Sequence, residues 1–494
     1  MITFAPLFDS HNLKTGIMEE NLRTFTIPEG VTTVPSGKYI YNGPMQTIRI
    51  PRSVTTIESE AFGVWCHELR AFSVDAANPA FCDVDGVLCS KDRTRLIRMP
   101  RGWASDSYAV PEGVTEIGEG AFRDCCGLTH IQLPPSVTAI GSGAFHGCKK
   151  LERIDLPPSL KRIENQAFWG CSSIREIVIP DGADLDYPEV FCCNKLERIN
   201  IPSSVTEFPV TALFIPCPNL RYIDQAEGEG VSTYSVDGVL FTKDKKRLVG
   251  VPPKKEPDTY TIPASVEVVG KWAFQWNSSL RQIVIPHSVR QLEDWAFGAC
   301  KNLTEIVIPS SVTEIGFKVF DFCRSLRAIR VEAGNPAYCD IDGVLFSRDG
   351  TRLIKMPEGK PIRKYTLPDS VVRIESTAFR WCDTLEEVVI PDSVRAIGSE
   401  AFSSCDNLQA ITIGRSVVEV GMDFLEECFA LRRICCLNPR PDSIKIYNCD
   451  SNADDDLGEN VYFATLFVPA AAMEAYRSHP EFGKFRHIEP LPEE

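Results

Sequence analysis

"SVTAIGSGAFHGCKKLERIDLPPSLKRIENQAFWGC", residues 136–171, states one pattern twice, 23 residues apart. Val137, Ile140, Ala144, Phe145, Cys148, Leu151, Ile154 and Leu156 return as Leu160, Ile163, Ala167, Phe168, Cys171, Ile174, Ile177 and Ile179. A unit this short cannot bury its own apolar face. Stacked copies can, so the repeat predicts a solenoid that grows in one dimension.

The clearest mark of the unit is a short apolar-x-apolar strand, usually followed by proline. Its first apolar residue is Phe25, Ile48, Phe72, Tyr108, Ile131, Ile154, Ile177, Ile199, Ile223, Tyr260, Ile283, Ile306, Ile329, Tyr365, Val388, Ile411 and Ile434. Alternation turns the flanking and central residues to opposite faces, and proline, lacking an amide, suits a strand end. A second short extended piece follows, S-V-T-x-I-G. The segment A-F-x-x-C-x-x-L then makes about one helical or 3-10 turn, with Phe, Cys and Leu inward. Seventeen strands at about 4.8 Å each predict a parallel sheet some 80 Å long, in one right-handed coil.

The pattern resembles the BspA-like class of bacterial leucine-rich repeats, whose unit reads close to L-x-x-I-x-I-P-x-S-V-T-x-I-G-x-x-A-F-x-x-C. The resemblance implies the leucine-rich-repeat fold over residues 22–436, with the sheet on one face and short turns opposite. It assigns 437–494 to a C-terminal cap, in which "TLFVPAAAMEAYRSHPEFGKFRHI" (465–488) supplies a last strand and an amphipathic helix facing inward through Ala471, Met473, Ala475 and Tyr476. Residues 1–21 form a small N-terminal cap. The family is associated with bacterial surfaces and adhesion to host or microbial proteins, so the resemblance implies a protein-binding role.

The net charge of −15 and a pI near 5.1 argue against nucleic acid or anionic membrane as partner. No run approaches the eighteen apolar residues of a membrane span, and the N-terminus lacks the basic and apolar regions of a secretory leader. That absence and the many cysteines favour the cytoplasm, whereas the resemblance favours the cell surface. Localisation stays open between them.

Eleven of the nineteen cysteines hold one repeat position: Cys66, Cys125, Cys148, Cys171, Cys193, Cys217, Cys300, Cys323, Cys382, Cys405 and Cys428. Asn42 and Asn277 take it in two other units. Both residue types are small and can donate to a carbonyl left over in a tight turn. The expectation is a buried ladder of free thiols, because stacked coils aim these side chains in parallel. Neither the cysteines nor the seven histidines show a metal-ligand spacing. No P-loop, GxGxxG or GxSxG occurs. The chain is therefore read as a non-enzymatic interaction protein with no cofactor and no metal. An intracellular scaffold, or an effector delivered without a classical leader, is the alternative, and a hydrolase is a remote one.

Three strand-to-strand intervals are longer than the rest, with insertions near 75–107, 226–259 and 332–364. They contain related hairpins, "VDGVLCSKDRTRLIRMP", "VDGVLFTKDKKRLVGVP" and "IDGVLFSRDGTRLIKMP", turning at 91–94, 243–246 and 348–351. These stretches are basic while the rest of the chain is strongly acidic. Arg93, Arg95, Arg98, Lys245, Lys246, Arg247, Arg348, Arg352 and Lys355 are thus candidates to hold an acidic protein or polyanion, with edge protection as the alternative. The acidic run 450–459 is a possible internal partner. Trp272 and Trp295 share a repeat position just before A-F and are expected to stack, with Trp276 close by, as a contact surface or a lateral packing cluster. Val178, Val284, Val307 and Val389 place apolar side chains at the outward middle of their strands.

Overall fold

A computed structural model describes residues 17–18, 23–36, 45–59, 61–62, 66–185, 190–203, 217–226, 228, 231–447, 457 and 460–492. The chain is a parallel β-solenoid of about 18 turns with very little helix. It divides into two compact units, Met1–Gly238 and Val239–Glu494. Each of the seventeen marker residues lies in a strand.

Consecutive front strands pair in parallel and in repeat register. In the first unit Phe25 lies beside Ile48 and Ile48 beside Phe72, while Tyr108, Ile131 and Ile154 form a second run. In the second unit Tyr365, Val388, Ile411, Ile434 and Leu466 align in one ladder. The S-V-T-x-I pieces make a second parallel ladder, as at Glu116–Ile117, Ala139–Ile140 and Arg162–Ile163. Between the ladders, phenylalanines stack coil on coil. Phe122, Phe145, Phe168 and Phe191 follow at centroid distances of 5.2, 5.2 and 5.6 Å, and Phe379 meets Phe402 at 4.5 Å.

The A-F segment has the i-to-i+3 bonds of a 3-10 turn but does not run on as a helix. Two residues per coil have positive φ: the one before Ala, such as Gly143, Gln166, Trp272, Trp295 and Thr377, and the one before the cysteine position, such as Gly147, Gly170, Trp276 (before Asn277) and Trp381. Left-handed residues break helical propagation. They also turn alternate amides toward the next coil. Gly143, Phe145 and Gly147 donate to the carbonyls of Asn165, Ala167 and Trp169 at 2.9, 2.8 and 2.7 Å. The turns thereby become a third ladder.

Each insertion is more than a hairpin. In the first, Phe81–Val84, Val87–Ser90 and Arg95–Arg98 form an antiparallel meander, and Arg95–Arg98 then continues the second parallel ladder against Glu116–Ile117. The third repeats this with Tyr338–Ile341, Val344–Ser347 and Arg352–Lys355. The Asp-Gly pairs are tight turns with both φ positive: Asp85-Gly86, Asp237-Gly238 and Asp342-Gly343. Each turn leans on the preceding front strand. The Phe72, Ile223 and Ile329 amides donate to the carbonyls of Gly86, Gly238 and Gly343. Glycine is required there twice over, for its φ and because a Cβ on Gly86 would stand 2.8 Å from that of Ala71. Buried Asn335 fixes the approach. Its Nδ2 donates to Pro309 and Val312 carbonyls, and its Oδ1 accepts from the Ala337 and Tyr338 amides, all at 2.8–2.9 Å. Asn78 does the same in the first insertion.

At the C-terminus the strand Thr465–Val468 adds to the front ladder and the short helix Met473–Ser478 follows. Its inward face is Ala472, Met473 and Tyr476, whereas Ala471 and Ala475 are exposed, because a 3-10 turn at Ala470–Ala472 shifts the phase of the expected stripe. Tyr476 is fully buried and its hydroxyl donates to the Asn438 carbonyl at 2.8 Å. The sequence reading missed one more parallel strand, His487–Pro490, beyond the helix. Most of the expected N-terminal cap and of the acidic run 450–459 lies outside the described residues, as does Asn42.

Candidate functional site

The insertion tips are built alike from S/T-x-D. Asp92 Oδ1 accepts from the Ser90 hydroxyl and from the Thr94 amide and hydroxyl at 2.6, 3.1 and 2.9 Å, while the Arg95 amide donates back to Ser90 Oγ at 3.0 Å. Asp349 holds Ser347 and Thr351 in the same way, and Asp244 holds Thr242 and the Lys246 amide. These bonds hold all three carboxyls below the usual range, Asp349 at about 2.

The basic residues of the insertions fall into three groups. Arg93, Lys245 and Arg348 are exposed on the tips. Arg95, Lys246, Arg247 and Arg352 face acids of following coils: Glu116 at 3.2 Å, Glu267 at 2.9 Å, Glu293 at 2.5 Å and Glu375 at 2.7 Å. Strand register makes these pairs, since Arg95 lies directly beside Glu116 in the ladder. Arg98 and Lys355 are corrections to the expected binding surface. Both are buried, since they sit where the strand's alternation turns inward. Arg98 donates to the carbonyls of Gly120 and Ser59.

Lys355 Nζ contacts Asp321 Oδ1 at 2.8 Å, the Thr377 carbonyl at 3.2 Å and Glu358 Oε1 at 3.5 Å. Burial pushes the Glu358 carboxyl up to about 8, against the pull of Lys355 and with a further push from Asp321. Burial opposes the charge on Lys355, but the two carboxylates outweigh it and raise its pKa. Sequence reasoning missed Asp321 and Glu358, which lie 34 residues before and three after Lys355.

The tryptophans also depart from expectation. Trp295 stacks on Phe322, with centroids 6.1 Å apart, and not on Trp272. The open space over Gly298 admits its ring, since a Cβ there would meet Trp295 Cε3 at 2.8 Å. Phe322 in turn contacts Trp381 at 5.2 Å. Cations cover the rings. Lys271 lies over Trp272 at 4.4 Å, Lys301 over Trp276 at 5.2 Å and Arg324 over Trp381 at 4.4 Å. The patch is thus largely a lateral packing cluster, in which Trp272 remains 37% exposed. The Trp381 position, equivalent to Trp276 in the repeat, was legible and overlooked. On the front sheet Val178, Val284 and Val307 are exposed and Val389 is half-buried.

All eleven repeat-position cysteines are buried and free. Cys148, Cys171, Cys300, Cys323, Cys405 and Cys428 donate to the phenylalanine carbonyl 26 residues earlier at 3.1–3.2 Å. Cys193 and Cys217 do so at 3.4 and 3.9 Å, to carbonyls 25 and 26 residues back. Cys66, Cys125 and Cys382 share the burial. Asn277, in the cysteine position, donates to the Pro252 carbonyl at 2.9 Å. Burial pushes Cys125 and Cys171 up to about 12, so these thiols stay neutral and unreactive. Iodoacetamide at pH 8 is therefore expected to label exposed Cys126 in the native chain and the repeat-position cysteines only after denaturation, as read by peptide mass spectrometry. Rapid native labelling of Cys148 or Cys405 contradicts the ladder.

Among the described residues no group of three or more His, Cys, Asp or Glu side chains is gathered as metal ligands would be. No helix there is long and apolar enough to cross a membrane.

The family model described as "BspA type Leucine rich repeat region" matches residues 17–78, 105–227, 255–347 and 358–450, in six copies. No curated protein matches the chain. Among solved structures, a leucine rich cell surface protein from Faecalibacterium prausnitzii is 25% identical, with 84% of this chain and 96% of that one covered at a TM-score of 0.40. A leucine-rich repeat protein from Eubacterium ventriosum is 21% identical, covering 77% and 97%, with a TM-score of 0.44.

Proposed function

The chain belongs to the BspA-type leucine-rich repeat family, a class of repeat protein-interaction modules, and on that premise we propose that it is a non-enzymatic adhesin-like protein whose insertion tips hold a protein partner. The observation that carries this reading is the repeated tip. Three equivalent loops are each locked by an aspartate and present basic side chains, Arg93, Lys245 and Arg348, to solvent. A loop already fixed in shape loses little conformational entropy on binding, which favours recognition. Attachment at a bacterial surface is supported by the family resemblance. A partner with acidic groups at the contact is supported by the sign of the exposed charges, although much of the insertions' positive charge is satisfied within the chain.

The test is affinity capture from host and microbial extracts with the native chain and with an Arg93→Glu/Arg348→Glu variant. Partner recovery is expected to fall about tenfold, as for losing one or two favourable contacts worth roughly 1.4 kcal/mol in all. Equal recovery by the two proteins removes the tips from the binding surface.

A further inference from the structure

In a regular coil three turn amides reach forward to the next coil. Trp295, Phe297 and Ala299 donate to the carbonyls of Phe317, Val319 and Asp321, and Thr377, Phe379 and Trp381 to those of Ser399, Ala401 and Ser403, at 2.7–3.2 Å. The coil between the Lys318 turn and the Thr377 turn is the third insertion. Its chain leaves Lys355 through Met356-Pro357 and makes no A-F turn, so one rung of this ladder is missing.

The groups that would bind that rung are only partly satisfied. Glu358 Oε1 takes the Phe322 amide at 2.8 Å. The Lys318 and Phe320 amides find no acceptor among the described residues. On the opposite wall the Met356 amide reaches the Ala378 carbonyl at 2.8 Å, but the Ser376 carbonyl, whose counterpart Ser399 accepts a coil-to-coil bond, has no donor there. Oδ2 of fully buried Asp321 is also without a partner. Phe320 and Asp321 are buried and Lys318 and Ser376 half-buried, and polar groups withdrawn from water are seldom left this way. Between the walls lies a cavity of about 330 Å³ lined by Lys318, Phe320, Asp321, Ser376 and Thr377. It is flanked by the contact of Phe322 with Trp381.

We propose that this slot is a binding site for an extended peptide segment of a partner protein, about three small residues long, which supplies the missing rung. Donors two residues apart on one wall and an acceptor on the other alternate as an extended main chain does. The gap of two rungs, roughly 9–10 Å between flanking backbones, has the width of one added chain. The cavity's size limits the guest to small side chains, as in the native rung Gly-Ser-Gly-Ala at 141–144. The corresponding slot of the first insertion is bridged by Arg98 from Ser59 to Gly120 and keeps only about 180 Å³. In the third slot the shorter Lys355 reaches Asp321 and the Thr377 carbonyl, and the space beside it is larger, about 330 Å³. This site is separate from the insertion tips and stands whether or not they bind.

The test uses the full chain and an acetylated, amidated hexapeptide Ile-Gly-Ser-Gly-Ala-Phe, the sequence of residues 140–145. Hydrogen exchange at the Lys318 and Phe320 amides is expected to slow at least about tenfold when the peptide is bound, as for gaining a hydrogen bond. Ser376→Leu, which fills the slot, is expected to abolish the protection while exchange at the ladder residues Val388 and Ile411 stays native. Replacing the second glycine of the peptide by N-methylglycine removes the donor aimed at the Ser376 carbonyl and is expected to weaken binding about tenfold, with no change to the protein. No added protection at millimolar peptide overturns the proposal. So does protection that survives the N-methyl group, or protection already complete without peptide.

Discussion

Lys355→Ala is expected to destabilise the second unit by about 3–5 kcal/mol, because it leaves two carboxyl groups facing each other without their cation. Lys355 is buried with Asp321 on one side and Glu358 on the other, and both acids are themselves buried. Replacing all three with apolar or amide residues of similar size, Asp321→Leu, Lys355→Met and Glu358→Gln, is expected to cost less than the single change, since no charge is then buried alone. Denaturant unfolding followed by tryptophan fluorescence compares them. A loss below about 1 kcal/mol for Lys355→Ala would show that the cluster is hydrated. The same cluster sets a pH dependence. Glu358 keeps its proton to about pH 8 in the folded chain, against an ordinary value of 4.5, so between those limits the folded state holds more protons than the unfolded. Stability then falls as pH rises from about 4.5 to about 8, by at most about 1.4 kcal/mol per unit, and this contribution is flat on either side. The raised Lys355 pKa lies above that window and adds no slope within it. Glu358→Gln is expected to remove the slope.

Phe379→Ala should cost about 3–5 kcal/mol, the usual range for truncating a buried phenylalanine whose site cannot collapse. Phe379 is fully buried, stacked on Phe402 at 4.5 Å and against Tyr365 at 5.9 Å. Its neighbours along the column are held by their own coils and cannot close the gap. The loss is expected to spread to the adjoining coils, because each coil is stabilised mainly by its neighbours. Hydrogen exchange should therefore rise at Val388 and Ile411 together. Val284→Ala, at an exposed front position, is the control and should stay within about 0.5 kcal/mol. Equal effects from the two changes would refute the assignment of inward and outward faces.

What could be read in the sequence was whatever one coil imposes on the next. A spacing of 23 residues places Ile beside Ile, Phe on Phe and Cys under the preceding phenylalanine carbonyl, since parallel stacking turns identical sequence positions into spatial neighbours. The front strands, the buried thiols and the three insertions follow from that rule alone. The left-handed residues of the turns did not, because Trp272, Thr377 and Glu400 are not types that announce positive φ. Nor did the third strand of each insertion or the final strand His487–Pro490, which lie outside the repeat.

The candidate site depended still more on tertiary structure. Nine basic residues looked equivalent in the sequence. Strand register pairs Arg95, Lys246, Arg247 and Arg352 with acids of later coils, and strand pleat buries Arg98 and Lys355. The partners of Lys355 come from another coil and from beyond the strand, and the slot beside it exists because a neighbouring coil lacks its turn. A repeat unit encodes what it presents to copies of itself. Where one copy is missing a piece, the groups left facing the gap are fixed only by the assembled stack.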